Sequence, residues 1–178
     1  KVAAASAQEL AYVKEKRNNK IIIGFDRRFL AEEMAEAVAS AVRGVDLIPL
    51  LASSSLPTPS CSWGIVEENA LGALVITASH NPSEWLGLKI KGPFGGSVDS
   101  SFTNSVQQRI DAGGISIPIE GSTDRIDFRK RHLIGVGKKF DIPLISNGLK
   151  KLGLKIFVDP MFGSASGCMT ELFSSYGK

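Results

Sequence analysis

The 178 residues are enough for one domain, or for one domain plus part of another. Hydrophobic residues make up 43% and charged residues 22%, the balance of a soluble globular chain that can build a sizeable core. A net charge of +3, from 21 basic and 18 acidic side chains, lacks the basic excess of a nucleic-acid binder.

The densest basic run, Arg125 to Arg131, is diluted by Asp124 and Asp127 and reads as a solvated helix face or linker. Cys61 and Cys168 are the only cysteines, with no spacing that suits a zinc site. Two lone thiols suit a reducing compartment. No apolar stretch approaches a membrane span of about 18 residues, and no signal-peptide core follows the N-terminus. A cytoplasmic protein without a membrane or nucleic-acid partner is expected.

In chain order, residues 2–17 read as a helix with a partial stripe at Leu10 and Val13, broken by Asn18-Asn19. Ile21-Ile22-Ile23 within Lys20–Phe25 predicts a strand buried on both faces. Residues 30–42 predict a helix whose stripe is Leu30, Met34, Val38 and Val42, with Gly44 as its stop. Val45–Leu51 is a second strand, and Pro57-Thr58-Pro59 lies in a loop before a helix over Cys61–Glu68. Gly72–Thr77 is a third strand. This alternation predicts α/β layering.

Residues 91–98 read as a turn or hairpin, and Ser101–Asp111 as a helix. Residues 115–127 are polar and irregular, which places a domain boundary near residue 122: one domain over 1–121, then a linker and the start of a second over 122–178. In that second part a helix is expected around 129–140, another ending at Asn147–Leu152, a strand at Leu154–Val158, a Gly/Ser loop over 161–167 and a helix over 168–176.

The segment with the sharpest chemistry is Thr77-Ala78-Ser79-His80-Asn81-Pro82, directly after a predicted buried strand. Ligands of open α/β sheets sit outside the carboxyl ends of strands, so Ser79 stands where chemistry is expected. A phosphate ester on it would carry about −1.5 to −2 charges and would require cations, a metal or N–H donors around it. Taken singly, Ser, His, Asn and Pro are ordinary turn residues.

As a joined string, the six residues resemble the active-site serine loop of the α-D-phosphohexomutases, the phosphoglucomutase/phosphomannomutase superfamily. Other segments are similar to that family in order and spacing: Gly24-Phe25-Asp26-Arg27-Arg28 to its G-x-D-x-R, Pro57-Thr58-Pro59 to its P-T-P loop, and Gly87-Leu88-Lys89 to its G-x-K. Val158-Asp159-Pro160-Met161-Phe162-Gly163 resembles the first strand and turn of its second domain.

The resemblance implies a layered α/β/α fold with a mixed sheet, followed by the start of a second similar domain. It implies reversible transfer of phosphate between C1 and C6 of a hexose phosphate through phosphoserine and a hexose 1,6-bisphosphate, with magnesium as cofactor and glucose 1,6-bisphosphate as activator. Ser79 would carry the phosphoryl group and ligate the magnesium. Lys89 would act as general acid/base or steady the accepting alkoxide, and Arg28, with Arg27 in competition, would neutralise the transferring group. His80 would orient the loop or touch substrate; Asn81 would shape the loop beside Thr77; Asp26 would hold loop N–H groups. Trp63 and Trp85 read as packing residues. The C-terminal segment resembles the glucose and mannose branch more than the acetylglucosamine branch.

Two positions depart from the family pattern. Leu86 stands where the family has Asn before G-x-K, and Phe29-Leu30-Ala31 stands where a polar residue is usual. The family's G-T-x-G-x-R-G strand and D-G-D-x-D-R metal loop are not in the sequence. A fragment that does little mutase chemistry by itself is therefore expected, its natural partners being the remaining domains and a hexose phosphate. A non-catalytic sugar-phosphate-binding domain is the competing reading. A serine hydrolase built on Ser79 and His80 is disfavoured, because adjacent loop residues seldom align nucleophile and base and no G-x-S-x-G elbow is present.

Overall fold

The computed structural model describes residues 1–12 and 17–176. Helix α1 (Val2–Ala11) leads to strand β1 (Asn18–Phe25), helix α2 (Ala31–Arg43) and strand β2 (Ile48–Ala52). Helix α3 (Thr58–Glu67), strand β3 (Ala70–Ile76), strand β4 (Leu88–Lys91) and helix α4 (Ser100–Ala112) follow. Strand β5 (Asp124–Ile126) precedes α5 (Phe128–Lys139), α6 (Ile142–Lys151) and α7 (Cys168–Tyr176). Val13, half of the stripe expected for the first helix, lies outside the described residues, whereas Leu10 is fully buried.

The strands form one sheet in the order β4-β3-β1-β2-β5. β1, β2, β3 and β5 run parallel, and β4 runs antiparallel to β3. Helices pack on the sheet, giving the expected mixed α/β architecture. The isoleucine run of β1 and all seven residues of β3 are buried, as central strands covered on both faces must be.

Helix α2 corrects its predicted stripe. Val38 and Val42 are buried, but Leu30 and Met34 are about half exposed, and the buried face is completed by Ala31, Ala35 and Ala39. Small side chains let the helix axis approach the sheet closely, which a count of large apolar residues overlooks. Gly44 ends α2, but with an ordinary helical φ of −62°; the left-handed turn falls on Asp46 (φ 58°). Gly44 is instead confined by contact, since a Cβ there would lie 2.3 Å from the Ile117 carbonyl oxygen.

Two short strands and one absent strand further correct the sequence reading. β4 turns Lys89 into a sheet residue paired with Val75. β5 forms within the segment read as irregular, pairing Leu50 with Asp124 and Ala52 with Ile126. No strand forms over 154–158: Ile156, Phe157 and Val158 are exposed, and none of the described strands pairs with them.

The basic run is neutralised rather than solvated alone. Arg125 bonds Glu32 and Glu36, Arg129 bonds Glu171, and Arg131 bonds Glu67 and Glu68. Glu68 also receives Lys20 Nζ at 2.7 Å. Hydrogen bonds from Lys20 first, then from Arg131, hold its carboxyl below the ordinary carboxylate range. A depressed folded-state pKa means that these bonds stabilise the fold above the unfolded value of about 4.3 and are lost as pH falls through the lower folded value. Glu68→Gln is therefore expected to cost up to about 1 kcal/mol near neutral pH. The gap from the parent chain should close in acid, as read by urea melts across pH.

Candidate active site

The carboxyl ends of β1, β2 and β3 open on the same side of the sheet and surround a cleft of about 1040 Å³. Asp26, Arg27 and Arg28 follow β1, the Pro57–Pro59 segment follows β2, and the serine loop follows β3. This is the position that the parallel topology assigns to ligands. Phe162, Gly163 and Ser164 close part of the rim.

The serine loop is the connection of the β3–β4 hairpin. Its base is closed by Thr77 N–H donating to the Gly87 carbonyl at 2.9 Å. Thr77 Oγ1 accepts from Ser79 N–H at 3.0 Å, and the Ala78 carbonyl accepts from Asn81 N–H at 3.0 Å. Ser79 has φ 58° and is exposed on the cleft. The left-handed region is uncommon for a residue with a Cβ, and such outliers gather at functional sites. Ser79 Oγ lies 3.3 Å from His80 Nδ1.

Because the same hairpin supplies both, Ser79 and Lys89 line one cleft: the loop supplies the hydroxyl and β4 supplies the lysine. Lys89 is half-buried. Leu86, which stands where the family has Asn, packs partly buried against the hydrophobic core. The loop base is closed by backbone at Gly87, so it is secured without a side-chain amide at position 86. A Cβ at Gly87 would lie 3.2 Å from the Thr77 carbonyl oxygen, a close approach that suits glycine.

Arg28 has contacts that its sequence position does not announce. Nη1 donates to the carbonyls of Pro82 at 2.6 Å and Trp85 at 3.1 Å. Nη2 donates to the carbonyls of Ser79 at 3.1 Å and Asn81 at 2.7 Å. Nε donates to Asp26 Oδ2 at 3.2 Å, and the Arg28 backbone N–H to Asp26 Oδ1 at 3.0 Å. Asp26 thus partners Arg28 rather than the N–H groups of the serine loop. Arg27 is exposed and makes one hydrogen bond among the described residues, Nη1 to the Phe162 carbonyl at 3.3 Å.

The two tryptophans divide. Trp63 packs between α3 and α5, 5.7 Å from the His132 ring, as a packing residue does. Trp85 is 60% exposed and lines the cleft. Trp85, expected to pack, instead faces the cleft, and Phe162-Gly163, expected as the first turn of a second domain, reach its rim together with Ser164. Cys61 takes no part: burial pushes its thiol up to about 12, as expected of a core filler.

Magnesium is poorly served by the described residues. None of them form a group of three or more His, Cys, Asp or Glu side chains that could hold a metal. The ion prefers six oxygens in octahedral array, and the Asp26 carboxylate is already bonded to Arg28. Ser79 supplies one oxygen, which by itself does not make a magnesium site.

Residues 1–114 match the family profile described as phosphoglucomutase/phosphomannomutase, alpha/beta/alpha domain I. The chain belongs to this family. A phosphoglucosamine mutase of Prochlorococcus marinus (strain AS9601) is 30% identical over 164 residues, covering 91% of this chain and 35% of that protein. The phosphoglucosamine mutase of Streptococcus sanguinis (strain SK36) is 26% identical, covering 89% of this chain and 34% of the relative.

Among solved structures, a Thermus thermophilus protein assigned as a phosphomannomutase superposes with a TM-score of 0.83 at 25% identity, over 99% of this chain and 38% of its own. The open form of parafusin from Paramecium, at 18% identity and TM-score 0.77, covers 98% of this chain and 38% of its own, and shows the fold alone. The chain therefore spans roughly a third of the length of these phosphohexomutase relatives.

No described helix is long and apolar enough to cross a membrane.

Proposed function

We propose that this chain carries the phosphoryl-bearing half of a phosphohexomutase active site. The observation that supports it most is that Ser79, on a left-handed loop residue at the carboxyl end of β3, and Lys89, on β4, line one cleft. Phosphoserine 79 would donate its phosphoryl group to a hexose-phosphate hydroxyl, while Lys89 as the neutral amine takes the proton of that hydroxyl and hands it to the departing Ser79 Oγ. The product is a hexose 1,6-bisphosphate and a free Ser79 hydroxyl. The bisphosphate would reorient and Ser79 would take the other phosphoryl group, Lys89 now carrying the Ser79 hydroxyl proton to the departing sugar oxygen.

Phosphoryl transfer asks mainly for positioning and charge neutralisation, and the cleft offers the Arg27 guanidinium as a cation beside Lys89. His80 Nδ1 holds the Ser79 hydroxyl, while Thr77 and Asn81 shape the loop. Arg28 serves the site through the loop that it bonds. The relatives' names leave the sugar open, so glucose, mannose and glucosamine phosphates all enter the test.

The test is a single transfer. The chain is incubated with glucose 1,6-bisphosphate and magnesium, then with the mannose and glucosamine bisphosphates, and its intact mass and peptides are measured. A gain of roughly 80 Da, one phosphoryl group, mapped to Ser79 is the expected result. Label elsewhere, or none with any of the three sugars, would turn the reading toward a binding domain. With a labelled parent chain, Lys89→Met is expected to slow labelling by about 10²- to 10⁴-fold. Lys89→Arg should restore little, because a guanidinium keeps its proton. A labelling rate close to the parent's in Lys89→Met would remove Lys89 from proton transfer.

A further inference from the structure

The two adjacent arginines after β1 differ in what they touch. A guanidinium has five N–H donors, and Arg28 has engaged all five: one on Asp26 and four on the carbonyls of Ser79, Asn81, Pro82 and Trp85. Its side chain is 14% exposed and that of Asp26 15%. Asp26 is itself fixed to the sheet, its N–H donating to the Ile76 carbonyl at 3.0 Å. One carboxylate therefore holds Arg28 by backbone and side chain, and Arg28 holds the loop at four points.

Four carbonyl oxygens near a phosphate site would repel it, and here one cation satisfies all of them. No N–H of the Arg28 guanidinium is left over for an anion. Arg27, by contrast, is exposed on the cleft with a single bond at 3.3 Å among the described residues. Guanidinium groups suit phosphate through paired, charge-assisted hydrogen bonds, and Arg27 retains the donors for them.

We propose a division of labour: Arg28 is a positioning residue that holds the serine loop in shape whether or not Ser79 carries phosphate, and Arg27 is the guanidinium that meets a phosphate group in the cleft. The proposal rests on the phosphohexomutase reading only for the identity of the phosphate-bearing ligand. Such a clamp lets Ser79 lose and regain its phosphoryl group without the loop reorganising. It also accounts for the left-handed Ser79 backbone, whose carbonyl is one of the four held.

The experiment compares the parent chain with Arg28→Lys, Arg28→Gln and Arg27→Gln. Amide exchange is followed over residues 77–88, inorganic phosphate binding is measured by calorimetry, and melting temperature serves as the folding control. Lysine keeps the charge and loses the fork, so it tests the clamp even where glutamine fails to fold.

Arg28→Lys is expected to speed exchange of the loop by about tenfold or more, with exchange in β1 and β3 unchanged. Arg27→Gln should leave loop exchange at the parent rate and weaken phosphate binding by about tenfold. Parent-like loop exchange in Arg28→Lys would overturn the clamp. Phosphate affinity equal to the parent's in Arg27→Gln, or a parent chain that binds no phosphate, would overturn the role of Arg27. A chain that fails to label Ser79 would sink the mutase reading, whereas loop exchange would still decide the role of Arg28.

Discussion

Ser79→Ala is expected to abolish phosphoryl uptake from glucose 1,6-bisphosphate, a loss of more than about a thousandfold, as befits removal of the group that forms the covalent bond. The side chain is exposed on the cleft, and among the described residues its hydroxyl is hydrogen-bonded to His80 Nδ1. The loss should therefore come without unfolding. A second substitution sharpens the test. Ser79 occupies the left-handed region at φ 58°, a conformation that costs a side-chain-bearing residue roughly 1 kcal/mol and glycine almost nothing. Ser79→Gly should be equally inert toward the bisphosphate and yet at least as stable as the parent chain. Intact mass and a urea melt read both. A Gly variant that is inert and markedly less stable would show that the hydroxyl holds the loop together; one that still takes up phosphate would place the carrier elsewhere.

What the sequence showed of the fold depended on where apolar residues leave a pattern. Ile21-Ile22-Ile23 and Ala73-Leu74-Val75-Ile76 are continuous apolar runs, and both are central strands. β5 has Asp124 and Arg125 in a three-residue strand, with nothing in composition to set it apart from a turn. It exists because the backbone of β2 offers free hydrogen-bonding groups along its edge. Leu154–Val158 shows the converse, with good strand residues and no described strand that pairs with them.

The site divides in the same way. Ser79 and Lys89 were found through side chains joined in a motif. The bonds of Arg28 run to four carbonyls, and a carbonyl is present at every residue, so no spacing could announce them. The shape of the loop is thus written mainly in backbone hydrogen bonding, which becomes visible only once the chain is folded.

Phe128→Ala should produce the largest loss of stability of any single change at the α3–α5 contact, about 3–5 kcal/mol. Phe128 is fully buried although it begins a helix just after a short edge strand. Its ring lies directly beneath Gly64 of α3, where even a Cβ would come within 2.7 Å of Phe128 Cδ1. The glycine and the ring are matched, so the space left by alanine has rigid walls and cannot collapse readily. The Arg131 guanidinium also sits 5.8 Å from the ring centroid and would lose that face. The consequence extends to function, because α3 starts at Thr58 and Pro59 on the rim of the cleft. Loosening α5 against α3 releases one wall of the site as well as the edge of the sheet. Chemical denaturation of Phe128→Ala beside Phe128→Leu separates these effects. Leucine should recover more than half of the loss, since it refills most of the volume. A cost below about 1 kcal/mol for alanine would mean that α5 contributes little to holding α3, and that the cleft wall is secured by the sheet alone.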